Sequence, residues 1–455
     1  FLGRNEKKTV SELANKVESV LEVPTKQCKR LARCIKNGTA FHHSGLLFKQ
    51  RSLIEENFRK GLIKVIVATP SLAYGVNLPS FRVIIRDLKR YYPGFGAASI
   101  PVLEVHQMLG RCGRSDYDPW GEGVLVAKNE DEAEELIERY ILGRPEDITS
   151  KLAVEPVLRM HTLALIATSI SREKSLLDFF SRTFYAFQYG DTSLLKDKIL
   201  EIVEKLVEWR FIFKENGKLK PTRIGKRISE LYIDPLTAHN FIVALERTED
   251  KKLTPLSFLQ LISNTLEMRP LLNVRTGEFT ELNEIIALRE DEFLQEIPEE
   301  WDLSFDGFLR SVKTALMFED WINEMTEDEI LSKYNVTPGE LYGRLQNADW
   351  LLYALHELTL LIGKKELLRH IRKVRMRVKY GVREELLPLV RLRNIGRIRA
   401  RKLYNSGLKT LKDLKKVPLE SLSRLIGPKI AYNIKEQLGE KVKRPKEEKQ
   451  KTLVY

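Results

Sequence analysis

Cysteine is scarce in this chain. Cys28, Cys34 and Cys112 are odd in number and widely spaced, which excludes a disulfide framework and a cysteine-built metal centre and points to a reducing compartment, the cytoplasm. Long apolar runs are missing as well. None approaches the ~18 residues that a membrane-spanning helix needs, so no membrane association is expected. The opening FLGRNEKKTV has neither an apolar secretory core nor an initiator methionine, and reads as the start of a fragment. Histidine is rare, with seven in all; the adjacent His42 and His43 have no third ligand in view and read as structural, so no metal is expected on this chain. The sequence also has no GxxxxGK[ST] loop. Gly225-Lys226-Arg227 and Gly363-Lys364-Lys365 lack both the hydroxyl residue and the earlier glycine. Asp131-Glu132-Ala133-Glu134 follows Lys-Asn-Glu rather than an apolar strand, and reads as the acidic first turn of a helix.

Acidic residues fall short of basic ones, 63 against 76, for a net charge of +13. The surplus is localised. Residues 386–455 hold 19 Lys and Arg and 6 Asp and Glu, while residues 1–385 hold 57 of each. A basic terminal block fits a polyanion, most often nucleic acid. The stretch KVKRPKEEKQK fits a solvated tail equally well; the apolar-periodic part before it does not.

At 455 residues the chain exceeds what one core supports. Residues 1–143 read as α/β. KVIVATP (64–70) has the look of a buried parallel strand, RVIIRDL (82–88) and GVLVAK (123–128) are two more, and helices are expected over Thr9–Leu21, Lys49–Lys60 and Glu130–Ile141. Strand–helix alternation implies a doubly wound parallel sheet. Residues 144–234 carry three helical stretches (155–170, 174–187, 194–209) and then FIFKENGKLKPT, where Asn216-Gly217 is a type I′ hairpin signal; three helices and a two-stranded wing describe a winged helix. Residues 235–385 read as a helical bundle. Residues 386–440 hold helices around two glycine turns, NIGRIRARKL (394–403) and LIGPKIAYNI (425–434), and residues 441–455 form a basic tail. The chain is thus multi-domain and mostly α.

Chemistry-bearing residues cluster in two places of the first domain. ATPSLAYGVNLP follows the strand at 64–68 and puts Thr69, Gly75 and Asn77 at the carboxyl edge of the sheet, where ligands of such folds bind. HQMLGRCGR (106–114) is read as a helix carrying Gln107, Arg111 and Arg114. Two guanidiniums three residues apart then share a face and suit a phosphate, although a surface turn with two solvated arginines reads the same in isolation.

With FHHSGL (41–46), these segments resemble the second motor domain of the Ski2-like group of superfamily-2 helicases, and within it the archaeal Holliday-junction-migration (Hjm) DNA helicases. LYIDPLT (231–237), VKTALMFEDWI (312–322) and EELLPLVRLRNIGRIRARKLYNSGL (384–408) carry the likeness through the rest of the chain. The resemblance implies a RecA-like α/β motor domain, then winged helix, bundle and helix-hairpin-helix domains. It implies a monomeric, ATP- and Mg²⁺-dependent helicase that moves 3′ to 5′ on single-stranded, forked or branched DNA in replication-fork repair and recombination. Without a phosphate-cradling loop, this segment is expected to lack the first motor domain and to be inactive as an ATPase alone. An RNA helicase of the same group and a non-catalytic DNA-binding scaffold are the alternatives.

The resemblance also assigns residues. Arg111 and Arg114 would face the γ-phosphate, with Gln107 coupling nucleotide to domain gap. Thr69 would touch a phosphate of the tracked strand, while Gly75 and Asn77 shape the loop between both sites. The aromatic tip YYPGFGAA would be a strand-splitting pin in which Tyr91, Tyr92 or Phe95 stacks on a base pair; the same aromatics read as surface packing otherwise. Trp350 would stack on single-stranded DNA from a ratchet helix, with Arg344 as its basic companion, one position from the expected place, which Gly343 occupies. Arg393, Arg397, Arg399 and Arg401 would bind DNA around the first helix-hairpin-helix turn, where Asn394 replaces the usual glycine. The final QKTLVY resembles a truncated sliding-clamp peptide.

Overall fold

The computed structural model describes residues 4–21, 23–73, 78–92, 96–113, 118–152 and 154–440, with the side chains of residues 4, 5, 91 and 92 left aside. The chain divides into two compact units, residues 1–150 with 336–340, and residues 151–335 with 341–455.

The first unit is α/β. It runs α1 (Arg4–Glu18), α2 (Lys26–Lys36), β1 (Thr39–His42), α3 (Phe48–Arg59), β2 (Val65–Ala68), β3 (Arg82–Ile85), β4 (Lys89–Tyr92), β5 (Gly96–Ser99), α4 (Val102–Leu109), β6 (Glu122–Leu125) and α5 (Glu130–Leu136), which continues into a π-helical turn at Ile137–Ile141. The sequence dictates α2 locally: Thr25 caps it by accepting from the Cys28 N–H, and Cys28, Leu31, Ala32 and Ile35 fall on one buried stripe. β1 pairs with β2 and β3 with β6, both in parallel. Val10, Leu13, Leu31, Ile35 and Ile54 cover the first pair, and Val102, Val105, Leu136 and Tyr140 cover the second.

Here the structure departs from the expectation of a buried strand at 64–70. Val67 is 69% exposed, and Val65, Ile84, Val124 and Val126 are exposed too. The reason is that the strands form two separate two-stranded parallel pairs, and the one doubly wound sheet expected from the sequence is not formed among the described residues. Each parallel pair packs helices on one face only, so alternate residues such as Ile66 and Ile85 enter a core and their neighbours face away from it. Among the described residues nothing covers the other face, although parallel strands are ordinarily sandwiched.

The second unit is helical but for one hairpin. It comprises α6 (Glu155–Thr168), α7 (Glu173–Phe180), α8 (Phe184–Tyr189), α9 (Ser193–Glu208), β7 (Ile212–Glu215), β8 (Lys218–Pro221), α10 (Arg223–Leu231), α11 (Pro235–Glu246), α12 (Pro255–Ser263), α13 (Phe279–Leu288), α14 (Phe305–Ile322) and α15 (Glu327–Tyr334). Then follow α16 (Pro338–Leu361), α17 (Leu368–Tyr380), α18 (Leu387–Val390), α19 (Arg397–Asn405), α20 (Leu411–Lys416), α21 (Leu419–Ile426) and α22 (Pro428–Gln437). The single helix expected over 174–187 is two. The hydroxyls of Ser181 and Thr183 donate back to the Asp178 and Phe180 carbonyls, a local alternative to helix that breaks the run. At the hairpin tip Asn216 and Gly217 both have positive φ, 50° and 69°, which is the type I′ geometry that the dipeptide favours.

Candidate nucleotide-facing loop and nucleic-acid interface

In the first unit, β2 hands over to Thr69, which is exposed and opens a 3₁₀ turn, Pro70–Leu72. Its N–H donates to the His42 carbonyl at 3.1 Å, which keeps the loop anchored to β1. α4 is placed from both ends. The Glu146 carboxylate accepts the Val102 and Leu103 N–H groups at 2.7 and 3.0 Å; these backbone bonds hold its carboxyl below the ordinary range. Near the other end, the His106 ring bonds the Tyr140 carbonyl at 2.7 Å, and the Tyr140 hydroxyl donates to the Ile100 carbonyl at 2.8 Å.

Arg111 does not sit on α4, and this corrects the expected helical face. The helix ends at Leu109; Gly110 caps it, and Gly113 has φ 82°, a conformation that ends helices and suits glycine. A Cβ on Gly121 would lie 2.1 Å from the Gly113 nitrogen, so the chain beyond the helix folds back where only glycines fit. Residues 111–113 instead form a short parallel bridge: Ser80 N–H donates to the Arg111 carbonyl at 2.9 Å, and Gly113 N–H to the Ser80 carbonyl at 2.8 Å. The Arg111 guanidinium then donates through Nη2 to the Ala73 carbonyl at 2.6 Å. No ion pair engages it, and its Nε is buried with no hydrogen-bond partner among the described residues. Arg111 is therefore tied to the turn that Thr69 opens, and Gln107 is exposed one turn upstream. Gly75, Asn77 and Arg114 lie outside the described residues. The hairpin expected at the aromatic tip is present, with β4 and β5 antiparallel and Tyr92 opposite Gly96. Arg90 secures it to α4 through a two-pronged pair with Glu104. Phe95 and the side chains of Tyr91 and Tyr92 lie outside the description.

In the second unit, α16 carries a row of donors. Arg344 donates to the Pro270 carbonyl at 2.7 Å, Asn347 to the Glu267 carbonyl at 3.1 Å, and Trp350, half-buried, to the Leu231 carbonyl at 2.9 Å. Sequence reasoning singled out the first and last and missed Asn347; the three-residue spacing of all three along one helix face was the available signal. The loops they hold are themselves linked. Glu267 accepts from the Asp234 N–H and the Thr237 hydroxyl, and Asp234 takes Arg159 in a two-pronged pair, 2.7 Å on each arm. The pair Arg159–Asp234 was also missed. Asp before Pro235 signalled the N-cap of α11, which Asp234 forms, but nothing in the sequence links it to Arg159.

The four C-terminal arginines separate. Arg393 is exposed, and Arg399 is half-buried with its guanidinium 3.4 Å from the Asn394 carbonyl. Asn394 has φ 70°, so it takes the left-handed conformation left vacant by the missing glycine, as asparagine can. Arg397 and Arg401, expected toward DNA, point into the chain. Arg397 lies 4.3 Å over the Trp321 ring and pairs with Glu327 at 2.8 Å. Arg401 pairs with Glu324 at 2.6 Å and Glu385 at 2.8 Å. The two arginines thereby dock the C-terminal module on the bundle, because carboxylates meet them there at bonding distance. The tail 441–455 lies outside the described residues.

These carboxylates give the docking a pH dependence. Burial pushes Glu324 and Glu385 up, but Arg401 and backbone donors outweigh it and hold both below the ordinary range. A depressed folded pKa contributes stability above the unfolded value of about 4.3, and that contribution is lost as pH falls through the folded value. Acidification from about pH 6 to about pH 3 is expected to lower Tm less in Glu324→Gln/Glu385→Gln than in the parent. Identical pH profiles for the two proteins would show that the pairs do not contribute.

Comparison with known proteins now defines the class. Residues 4–116 match the family model described as helicase conserved C-terminal domain, and residues 256–381 match archaeal helicase, domain 4; the chain carries two domains of helicases. The particular proteins it is similar to are each called ATP-dependent DNA helicase Hel308. That of Pyrococcus horikoshii is 43% identical over 460 residues, covering 100% of this chain and 63% of the relative. That of Pyrococcus abyssi is 42% identical, covering 100% and 65%, and that of Methanocella arvoryzae is 40% identical, covering 95% and 59%. The chain thus spans 59 to 65% of the length of these relatives. No helix of the described residues is long and apolar enough to cross a membrane.

Proposed function

We propose that this chain belongs to the Hel308 group and acts as part of an ATP-dependent DNA helicase, moving 3′ to 5′ on single strands and working on forked or branched DNA in replication-fork repair and recombination. The observation that carries the reading is Arg111, a guanidinium outside any ion pair among the described residues, anchored to the turn at the carboxyl end of a parallel strand. The carboxyl ends of parallel strands are where α/β folds meet their ligands, and a cation there stabilises charge in phosphoryl transfer. ATP fits these residues in part. Arg111, with Arg114, would face its phosphates and Gln107 would lie beside them; a loop to cradle the phosphates, and with it Mg²⁺, is absent from the sequence. When bound, the nucleotide supplies the energy of phosphate transfer. This chain's own residues orient and stabilise charge.

On the nucleic-acid side, Thr69 contacts a phosphate of the tracked strand, with Gly75 and Asn77 shaping the loop between. The hairpin with Tyr91, Tyr92 and Phe95 separates strands. Trp350 offers its ring to a base, while its N–H and the Arg344 guanidinium keep α16 in place. Arg393 and Arg399 face DNA at the C-terminal module, and Arg397 and Arg401 hold that module. The protein works as a monomer, and its tail is a candidate ligand for a sliding clamp. The test uses this chain with fluorescently labelled forks. It is expected to bind a DNA fork more tightly than the matched RNA fork and to show no ATP turnover with either. Preference for RNA would replace the DNA reading with an RNA helicase, and steady ATP turnover would overturn the division of labour.

A further inference from the structure

Counting charge over residues 1–385 gives zero, and this conceals how α17 distributes its cations. Ile371, Val374 and Val378 are buried and seat the helix. On its flanks the cations are engaged: Lys373 pairs with Glu384, Arg375 with Asp349, and Arg377 donates to the Ile322 carbonyl. The crest is different. Arg369, Arg372 and Lys379 are exposed, and within the helix they sit at spacings of three and seven, with Met376 between, so they share one face. Lys365, one turn before, and Arg383, just past the end, are also exposed. Lys365, Arg369, Arg372 and Lys379 have no carboxylate partner among the described residues, while Arg383 stands beside Glu385 and helps to hold that carboxyl down. Lys379 lies only over the Tyr380 ring, at 5.7 Å.

An unpaired row of this kind is a poor stability device. Like charges one turn apart repel, and the helix is already held by its apolar face. It is a good polyanion device: Arg369 to Lys379 covers about 15 Å of helix, and clustering of Lys and Arg along one helix face is the electrostatic footprint of a nucleic-acid binder. We infer that the crest of α17, with Lys365 and Arg383 at its ends, is a second DNA-contacting surface. It grips the phosphodiester backbone without reading sequence. The inference rests on the reading of the chain as a DNA-binding protein.

The experiment compares this chain with Lys365→Gln/Arg369→Gln/Arg372→Gln/Lys379→Gln by fluorescence anisotropy on a labelled 3′-tailed duplex across a salt series. Each phosphate contact contributes about 0.7 to 0.9 to the slope of log K against log salt. The variant is expected to lose about two to three from that slope and at least about tenfold in affinity at low salt. Met376→Glu, which puts a carboxylate into the row and removes no cation, is expected to weaken binding in the same direction. The quadruple variant should melt close to the parent, since it breaks no ion pair among the described residues and gives up only the exposed contact of Lys379 with the Tyr380 ring. An unchanged slope and affinity in both overturns the surface while leaving the DNA reading intact. A parent that binds no DNA defeats the DNA reading itself. Weakening on anionic lipid vesicles or an acidic peptide but not on DNA reassigns the row to that partner.

Discussion

Arg159→Met is expected to destabilise the second unit by about 3–5 kcal/mol. Arg159 and Asp234 are 3% and 2% exposed, and removing the guanidinium strands a carboxylate in an apolar surround. Its other partners are too few to compensate: Asp234 keeps one N–H donor at 3.0 Å, from Leu236. Burial opposes charge on Arg159, but Asp234 and Glu155 outweigh it and hold the guanidinium above its ordinary range. The loss should reach beyond the pair. Asp234 begins α11, its N–H is held by Glu267, and Glu267 also has its carbonyl on Asn347 of α16. Denaturant unfolding measures this. A double replacement, Arg159→Met/Asp234→Asn, should regain part of the loss, because an amide costs far less to bury than a lone carboxylate. A single-variant loss below about 1 kcal/mol would mean that water or a rearranged loop solvates Asp234.

Arg111→Ala carries the largest expected effect on activity. In a polypeptide that also supplies a phosphate-cradling loop, DNA-stimulated ATP turnover is expected to fall about 10³-fold or more, with DNA affinity moving only a few-fold. Arg111→Lys should recover little, because an ammonium lacks the planar fork that holds the Ala73 carbonyl with one arm and leaves others for the proposed phosphate. Thermal melting separates this from a purely structural role. If Arg111 only braces the loop, the loss of Tm and the loss of turnover should track each other across Ala, Lys and Gln variants. Full turnover in Arg111→Ala would remove the residue from the proposed nucleotide site.

What the sequence discloses depends on how local the cause is. Asn216-Gly217 specifies its turn by its own φ preferences, and Val-Ile runs specify β2, β3 and β6. β1 escapes such reading: Thr-Ala-Phe-His is four residues long and carries no alternation that distinguishes it from a loop. Gly110 ends α4 before Arg111, and a periodicity argument that puts both arginines on one helical face takes the glycine before each as room for a ligand and not as the end of the helix. The C-terminal arginines show the limit from the other side. Charge counting placed a basic block correctly, yet Arg397 and Arg401 meet Glu327 and Glu324 some seventy residues upstream, and no local pattern reports a pairing over that distance. The row on α17 was hidden for the opposite reason, since acidic residues elsewhere in the same span cancelled it in the sum. Trp350 illustrates a composite case. Its helix was legible, and whether the indole was core or surface was not, because that depends on Leu231 presenting a free carbonyl at the end of α10.

The uncovered ribbon of β2 has a consequence for how the protein behaves in a tube. Among the described residues, Val65 and Val67 on one strand pair, and Ile84, Val124 and Val126 on and beside the other, keep hydrocarbon in contact with water. Exposed apolar side chains of this kind draw in one another, solvatochromic dyes and plastic walls, more strongly in salting-out ions and less strongly in the cold, where apolar hydration loses its drive. The colloidal temper of the chain follows from a handful of branched side chains, whatever its excess of lysine and arginine would suggest.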